Sequence, residues 1–324
     1  MEIDKIFALA EREMEAVEGE FEKNLDSEIS LIPVIGKYIL DSGGKRMRPL
    51  FLILSSKLAG YEGPNAVPLA AIMEFIHTAT LLHDDVVDNA HMRRGQEAAH
   101  VIWGNSAAVL VGDFLFSKSF KLLTSHGSTE ILRAVSAATT AIAEGEVLQL
   151  VKTCDIGLTE DEYLRVVINK TAMLLAAPCQ VGGLLGNLPE SHVAALYNFG
   201  LELGVSIQII DDCLDYAADE ETFGKKRGTD LAEGKITMPL IYVLRVGSDE
   251  ERERIEEIIN RDELQDGDLD YVLGLIDKYD AIAWSKGRAA ELVAKAKGYL
   301  DIFEPGVYRD ALCGLADYTV TRHL

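Results

Sequence analysis

The chain has 324 residues, 48% of them apolar, and its 53 Asp and Glu against 31 Lys and Arg give a net charge of −22. Length alone allows two domains, but all-α chains of this size are often one, and the apolar share is enough for a sizeable core. The acidic excess argues against nucleic acid or anionic lipid held by the general surface. No run of about 18 apolar residues predicts a membrane-spanning helix or stable membrane insertion. The charged start Met1-Glu2-Ile3-Asp4-Lys5 is unlike a signal or transit peptide. Cys154, Cys179, Cys213 and Cys313 are scattered without a C-x-x-C pair and read as reduced thiols of a cytoplasmic protein.

Taken in order, the first forty residues read as two amphipathic helices, Ile3–Asn24 and Glu28–Leu40, with packing and no chemistry. Gly43-Gly44-Lys45-Arg46-Met47-Arg48-Pro49 follows. Paired glycines open a loop and Pro49 suits the first turn of a helix. Lys45 and Arg48 then stand at a helix N-terminus, where free N–H groups favour an anion; the plainer alternative is an exposed basic loop.

Val67–Asp88 reads as one long apolar helix at the centre of a bundle. It ends in Thr80-Leu81-Leu82-His83-Asp84-Asp85-Val86-Val87-Asp88. On a helix Asp84 and Asp88 lie one turn apart, about 40° around the axis, with Asp85 on the flank. Hard oxygen donors at that spacing suit Mg²⁺, although an acidic helix end facing solvent has the same pattern. His77, seven residues before Asp84, shares its face; on an apolar helix it reads equally as a core histidine, and His83 reads as structural. Arg93 and Arg94 follow in a loop, offering planar forks that match phosphate oxygens. Asn105–Ser125 and Glu130–Val151 are two further apolar helices.

Thr159-Glu160-Asp161-Glu162 is a capping box opening a helix that runs through Lys170-Thr171 and past Pro178, which should kink it. Lys170 in that apolar setting needs a partner, and a diphosphate would provide one. Thr171 and Gln208 bring neutral oxygens that read either as ordinary helix hydrogen bonding or as a cation-facing pair. A second D-D-x-x-D, Asp211-Asp212-Cys213-Leu214-Asp215, again follows apolar residues and again precedes a basic segment, Lys225-Lys226-Arg227-Gly228. Two such helices presenting six carboxylates to a shared space would repel unless cations sit between them. The pattern therefore implies divalent ions and a polyanion. Ser248-Asp249-Glu250-Glu251 is another capping box, Asp262–Leu269 an acidic connector, and Ile282–Phe303 and Val307–Arg322 closing helices. No strand, repeat or low-complexity tract stands out, and residues 1–324 read as a single all-α domain.

These motifs resemble those of the trans-isoprenyl diphosphate synthases, or polyprenyl synthetases, from Gly43 to about Leu240 and weakly in the last helix. The likeness is nearest to the long-chain, octaprenyl-forming members. It implies the isoprenoid synthase fold: one large helical bundle with a cavity between the two aspartate-bearing helices. It also implies three Mg²⁺ per active site, isopentenyl and allylic diphosphates as partners, and a homodimer.

By resemblance Asp84, Asp85, Asp88, Asp211, Asp212 and Asp215 serve the metal. Lys45, Arg48, His77 and Arg94 hold isopentenyl diphosphate and Arg93 the allylic one. Lys170, Thr171, Gln208, Lys225 and Lys235 are catalytic. Ala79 and Thr80 act as the chain-length gate, with Phe120 or Leu123 as the tunnel floor. Small gate residues imply a long product of roughly seven to ten isoprene units, with eight favoured. Met47, Thr229 and Ile236 depart from the residues usual in the family and bear on loop shape more than on chemistry. The same fold with a short farnesyl or geranylgeranyl product, a squalene-type synthase and a non-catalytic prenyl diphosphate-binding subunit are the rival readings.

Overall fold

The computed structural model describes residues 1–217, 227–261 and 263–321, and these are helical apart from one small hairpin and the connecting loops. The helices are α1 (Ile3–Ala8), α2 (Glu11–Leu25), α3 (Leu31–Asp41), α4 (Met47–Leu58), α5 (Ala66–Val87), α6 (Ala99–Trp103), α7 (Asn105–His126), α8 (Thr129–Lys152) and α9 (Glu160–Val167). A π turn over Ile168–Ala172 leads into α10 (Met173–Leu185), then α11 (Glu190–Ala217), α12 (Thr229–Ala232), α13 (Met238–Val246) and α14 (Asp249–Ile259). The chain closes with α15 (Asp268–Lys278), α16 (Ala281–Tyr299) and α17 (Val307–Thr321). The expected helix over residues 3–24 is two, because Ala10 leaves helical geometry at φ −124°.

The chain gathers into two compact units. The first comprises Met1–Thr139, Leu174–Gly200 and Leu300–Leu315, the second Thr140–Met173, Leu201–Tyr299 and Ala316–Leu324. In the first, α5 is apolar all round and is packed by α2, α4 and α7, as a helix without a polar face must be. Phe21 meets Phe75 of α5 at 5.3 Å between ring centres. Gly112 of α7 allows the closest approach: a Cβ there would stand 2.3 Å from His83 Nε2.

The expected loop after α5 contains a two-stranded antiparallel hairpin, β1 (Met92–Arg93) and β2 (Gln96–Glu97). Its two turn residues, Arg94 (φ 52°) and Gly95 (φ 79°), both lie in the left-handed region, as the tightest hairpin turns require. The turn escaped sequence reading because Arg-Gly is not one of the usual dipeptides for it.

In the second unit α11 buries Val205, Ile209, Cys213 and Tyr216 against a core that includes Ile236, Met238, Leu240, Val243, Ile255 and Val272. Both expected capping boxes are formed, Thr159 with Glu162 and Ser248 with Glu251. α10 continues through Pro178, and the helix it extends leaves α geometry earlier, at the π turn that carries Lys170. Both α5 and α11 are, contrary to the sequence expectation, long and apolar enough to cross a membrane by length and composition, but 72% and 61% of their most apolar windows are buried inside the protein. They are core helices that end in aspartates.

Candidate active site

In the first unit the helical turn that joins Asp84 to Asp88 is closed by the Asp88 N–H donating to the Asp84 carbonyl at 2.7 Å. Both side chains are half-buried. Asp85 faces inward at 1% exposure, and its Oδ1 accepts from Arg93 Nε at 2.8 Å and also from Arg93 Nη2. Its Oδ2 is buried without a hydrogen-bond partner among the described residues. Arg93, expected on an allylic diphosphate, is thus held by Asp85, and Asp85, expected near the metal, is engaged by a cation.

Around this helix end lie the other predicted anion binders. Arg46 takes a left-handed conformation (φ 46°) just before α4, which puts Arg48 in that helix's first turn. Arg46 itself turns into the protein, pairing with Glu18 at 2.9 Å and with buried Glu74 at 3.1 Å. Arg94 donates from Nη1 to the Gly43 carbonyl, and a side chain at Gly44 (φ 139°) would strike it, its Cβ 2.8 Å from Arg94 Nη1. Gly44 thus leaves the space that the Arg94 guanidinium fills where it meets this loop. Buried His77 lies among these charges: burial, reinforced by Arg48, Arg94, Arg93 and Arg46, pushes its pKa well below the usual histidine value. It is a neutral imidazole facing a positive cluster. Ala79 is fully buried and Thr80 half-buried, its hydroxyl donating to the His77 carbonyl at 2.8 Å. Phe120 lies 5.2 Å from Phe116, and Leu123 is fully buried in α7.

In the second unit the π turn carries Lys170 and Thr171. It is clamped on two sides by glycine: a Cβ at Gly145 of α8 would come within 2.5 Å of the Lys170 nitrogen, and one at Gly204 of α11 within 2.6 Å of the Ala172 Cα. Lys170 donates to Glu146 at 2.8 Å and to Gln149 at 2.7 Å, so the partner it needed is supplied by α8. Thr171 Oγ1 donates to Gln208 Oε1 at 3.0 Å, across two helices rather than within one. Gln208 Nε2 in turn donates to Asp212 Oδ1 at 2.8 Å, and the Tyr163 hydroxyl to Asp212 Oδ2 at 2.5 Å. Asp212 is only 3% exposed, and burial pushes its pKa up to about 7, with the charges of Asp211 and Asp215 adding to the rise.

The remaining aspartates point differently. Asp211 is exposed and Asp215 half-buried; Asp215 Oδ2 accepts from the Asp230 N–H at 3.1 Å, and its carbonyl from the Gly228 N–H at 2.9 Å. Burial and the nearby Asp212 and Asp215 push Asp230 well above the usual carboxylate range, while Lys235 opposes the rise. Lys235 pairs with Glu233 at 2.6 Å. Lys225 lies outside the described residues.

Sequence reasoning missed Tyr163, Glu146 and Gln149. The last two are polar residues three apart in a mostly apolar stretch, a signal that could have been followed; Tyr163 gave none.

Among the described residues no three His, Cys, Asp or Glu side chains converge as a ready ligand set. The outer aspartates of each motif instead offer carboxylate oxygens alone, in pairs one turn apart. That donor set fits Mg²⁺, which takes one or two carboxylates and fills its other positions from water and phosphate.

Each unit of this all-α chain thus carries an apolar helix that ends in paired acid. The chain belongs to the polyprenyl synthetase family, a family of prenyltransferases, whose model matches residues 30–276. It is 42% identical over 322 residues to the octaprenyl diphosphate synthase of Escherichia coli, covering 99% of each chain. It is 36% identical over 318 residues to the all-trans-nonaprenyl-diphosphate synthase of Rhodobacter capsulatus, covering 98% of this chain and 97% of that one. Among solved structures, a polyprenyl synthase from Caulobacter crescentus complexed with calcium and isoprenyl diphosphate superposes with a TM-score of 0.95 at 40% identity, covering 100% and 98% of the two chains.

Proposed function

We propose that this chain is a long-chain all-trans polyprenyl diphosphate synthase that condenses isopentenyl diphosphate repeatedly onto an allylic diphosphate, with octaprenyl diphosphate as its product, and that residues 1–324 work as one catalytic domain. The observation that carries this reading is the shared construction of the two motifs: each closes an apolar helix, sinks its second aspartate into the protein and leaves its outer aspartates nearer solvent.

In the proposed reaction Asp84, Asp88 and Asp211 would hold Mg²⁺, with Asp215 close by. When bound, the metal supplies charge neutralisation of the leaving diphosphate. Lys170 and Lys235 add cationic charge at the same leaving group, electrostatic stabilisation of charge as it develops. Lys45, Arg48 and Arg94 hold the isopentenyl diphosphate, and neutral His77 adds a hydrogen bond without further charge. The double bond of that substrate attacks the allylic carbon. Gln208 Oε1 and Thr171 offer neutral lone pairs to the cation without the nucleophilic strength of a carboxylate. The proton is then lost to the departed diphosphate.

In this reading product length follows from the small gate of buried Ala79 and half-buried Thr80. Ala79→Phe is expected to shorten the product by several units; an unchanged length would refute the gate. The enzyme is placed in the cytoplasm, in keeping with four unbridged cysteines, and as a homodimer. The exposed apolar side chains Val147, Leu150 and Val151 near the end of α8 support the second assignment, which light scattering of the purified chain tests. Incubation with farnesyl diphosphate, isopentenyl diphosphate and Mg²⁺, followed by sizing of the dephosphorylated product, tests the function. Arrest at farnesyl or geranylgeranyl length, or no elongation, would overturn it.

A further inference from the structure

We propose that Tyr163 is a positioning residue for this reaction: acting through Asp212, it fixes which end of the Gln208 amide faces Thr171. This rests on the synthase reading. The two ends of an amide are nearly alike in shape and opposite in hydrogen bonding. Turned one way, Gln208 shows an oxygen toward the Thr171 hydroxyl and the carbon expected to carry positive charge. Turned the other way it shows an NH₂, whose partial positive charge would oppose that cation. Asp212 decides between them, because its Oδ1 takes the Gln208 NH₂ at 2.8 Å and thereby sends Oε1 to Thr171 at 3.0 Å. Tyr163 decides how Asp212 stands, because its hydroxyl occupies Oδ2, the other carboxylate oxygen.

The backbone is arranged to make these two contacts together. Gln208 and Asp212 are four residues apart on α11, about 40° around its axis. Tyr163 and Thr171 are eight residues apart, which in an unbroken α-helix would separate them by about 80°. A π turn absorbs one extra residue, and Ile168–Ala172 is such a turn. The pair then counts as seven α-helical steps, about 20° apart on one face. Both can therefore meet the same face of α11.

The start of the helix is also fixed. The Thr159–Glu162 capping box stands one residue before Tyr163, and Glu162 is further held by Lys152 at 2.7 Å. Tyr163 and Asp212 are both buried, so bulk water does not compete for these bonds and a lost partner is not readily replaced.

The test is Tyr163→Phe, which removes one oxygen and keeps the ring. Removing a group that orients a working side chain commonly costs about 10–100-fold in activity. A kcat fall of that size is expected, with KM for both substrates and calorimetric binding of S-farnesyl thiolodiphosphate, a non-ionising analogue, within about twofold of wild type. Gln208→Leu leaves no amide to orient. In that background Tyr163→Phe should produce no further fall in kcat, whereas an independent structural role would make the two losses multiply. Far-UV circular dichroism and the melting temperature establish that each variant is folded. Wild-type kcat in Tyr163→Phe, or multiplying losses in the double variant, would overturn the proposal while leaving the synthase reading intact. A wild-type chain that does not elongate farnesyl diphosphate would remove the synthase reading itself.

Discussion

The two D-D-x-x-D motifs have the same spacing and both bury their second aspartate, yet they neutralise it in opposite ways. Asp85 is met by a cation, Arg93, supplied by the hairpin only eight residues further on. Asp212 is met by two neutral donors, Gln208 from one turn earlier and Tyr163 from forty-nine residues away in sequence. One buried carboxylate is compensated by full charge and the other by hydrogen bonds, and burial pushes the second, Asp212, up to about 7. Equal spacing in sequence fixes equal positions on a helix, but the electrostatic state of those positions is set by what packs against them.

The strongest way to break this comparison is to ask whether the outer aspartates behave alike where the inner ones do not. Asp84→Asn and Asp211→Asn should each lower kcat by about 10²–10³-fold, the cost of losing one preorganised electrostatic contact; a loss confined to one motif would mean that the motifs do not share a diphosphate. The inner aspartates should differ in stability. Arg93→Leu leaves Asp85 a buried carboxylate without its cation and should cost about 2–4 kcal/mol in urea unfolding, whereas Tyr163→Phe removes one neutral hydrogen bond and should cost about 1–2 kcal/mol. Equal costs would erase the distinction.

The pH dependence sharpens it further. Asp212 binds its proton more tightly folded than unfolded, so between the ordinary aspartate value and about 7 the folded state holds more protons. Its contribution to stability therefore falls as pH rises through that window, by at most about 1.4 kcal/mol per pH unit. In Mg²⁺-free buffer Asp212→Asn should flatten that slope. Asp230, raised in the same way, keeps part of it. A slope unchanged by the substitution would place the proton elsewhere.

Much of the first unit's site was legible in the sequence because its signals are local. The apolar run of α5, the one-turn spacing of Asp84 and Asp88, the glycine pair before Lys45 and both capping boxes each depend on residues a few positions apart. The hairpin at Arg94-Gly95 was missed because arginine is an unusual occupant of a left-handed turn position. The second unit hid more. The environment of Asp212 depends on Tyr163, Lys170 finds Glu146 and Gln149 at separations of 24 and 21 residues, and the π turn fits closely against Gly145 and Gly204. No periodicity in the sequence announces any of these. The resemblance named all six aspartates for the metal without telling the inner from the outer ones, and it is the packing that gives Asp85 and Asp212 their protein hydrogen-bond partners.

The π turn at Ile168–Ala172 makes this stretch tolerant of shortening in a way that ordinary helix is not. Elsewhere in a helix, losing one residue rotates everything on one side of the cut by about 100°. Excising Asn169 removes only the surplus residue, so the backbone can relax into uninterrupted α geometry with both flanks still in phase. Lys170, seated inside the widened turn, would lose its bearing toward Glu146 and Gln149. By calorimetry the shortened chain should melt no lower than its parent, and it should turn over far more slowly. At this point in the molecule the better-formed helix is the worse catalyst.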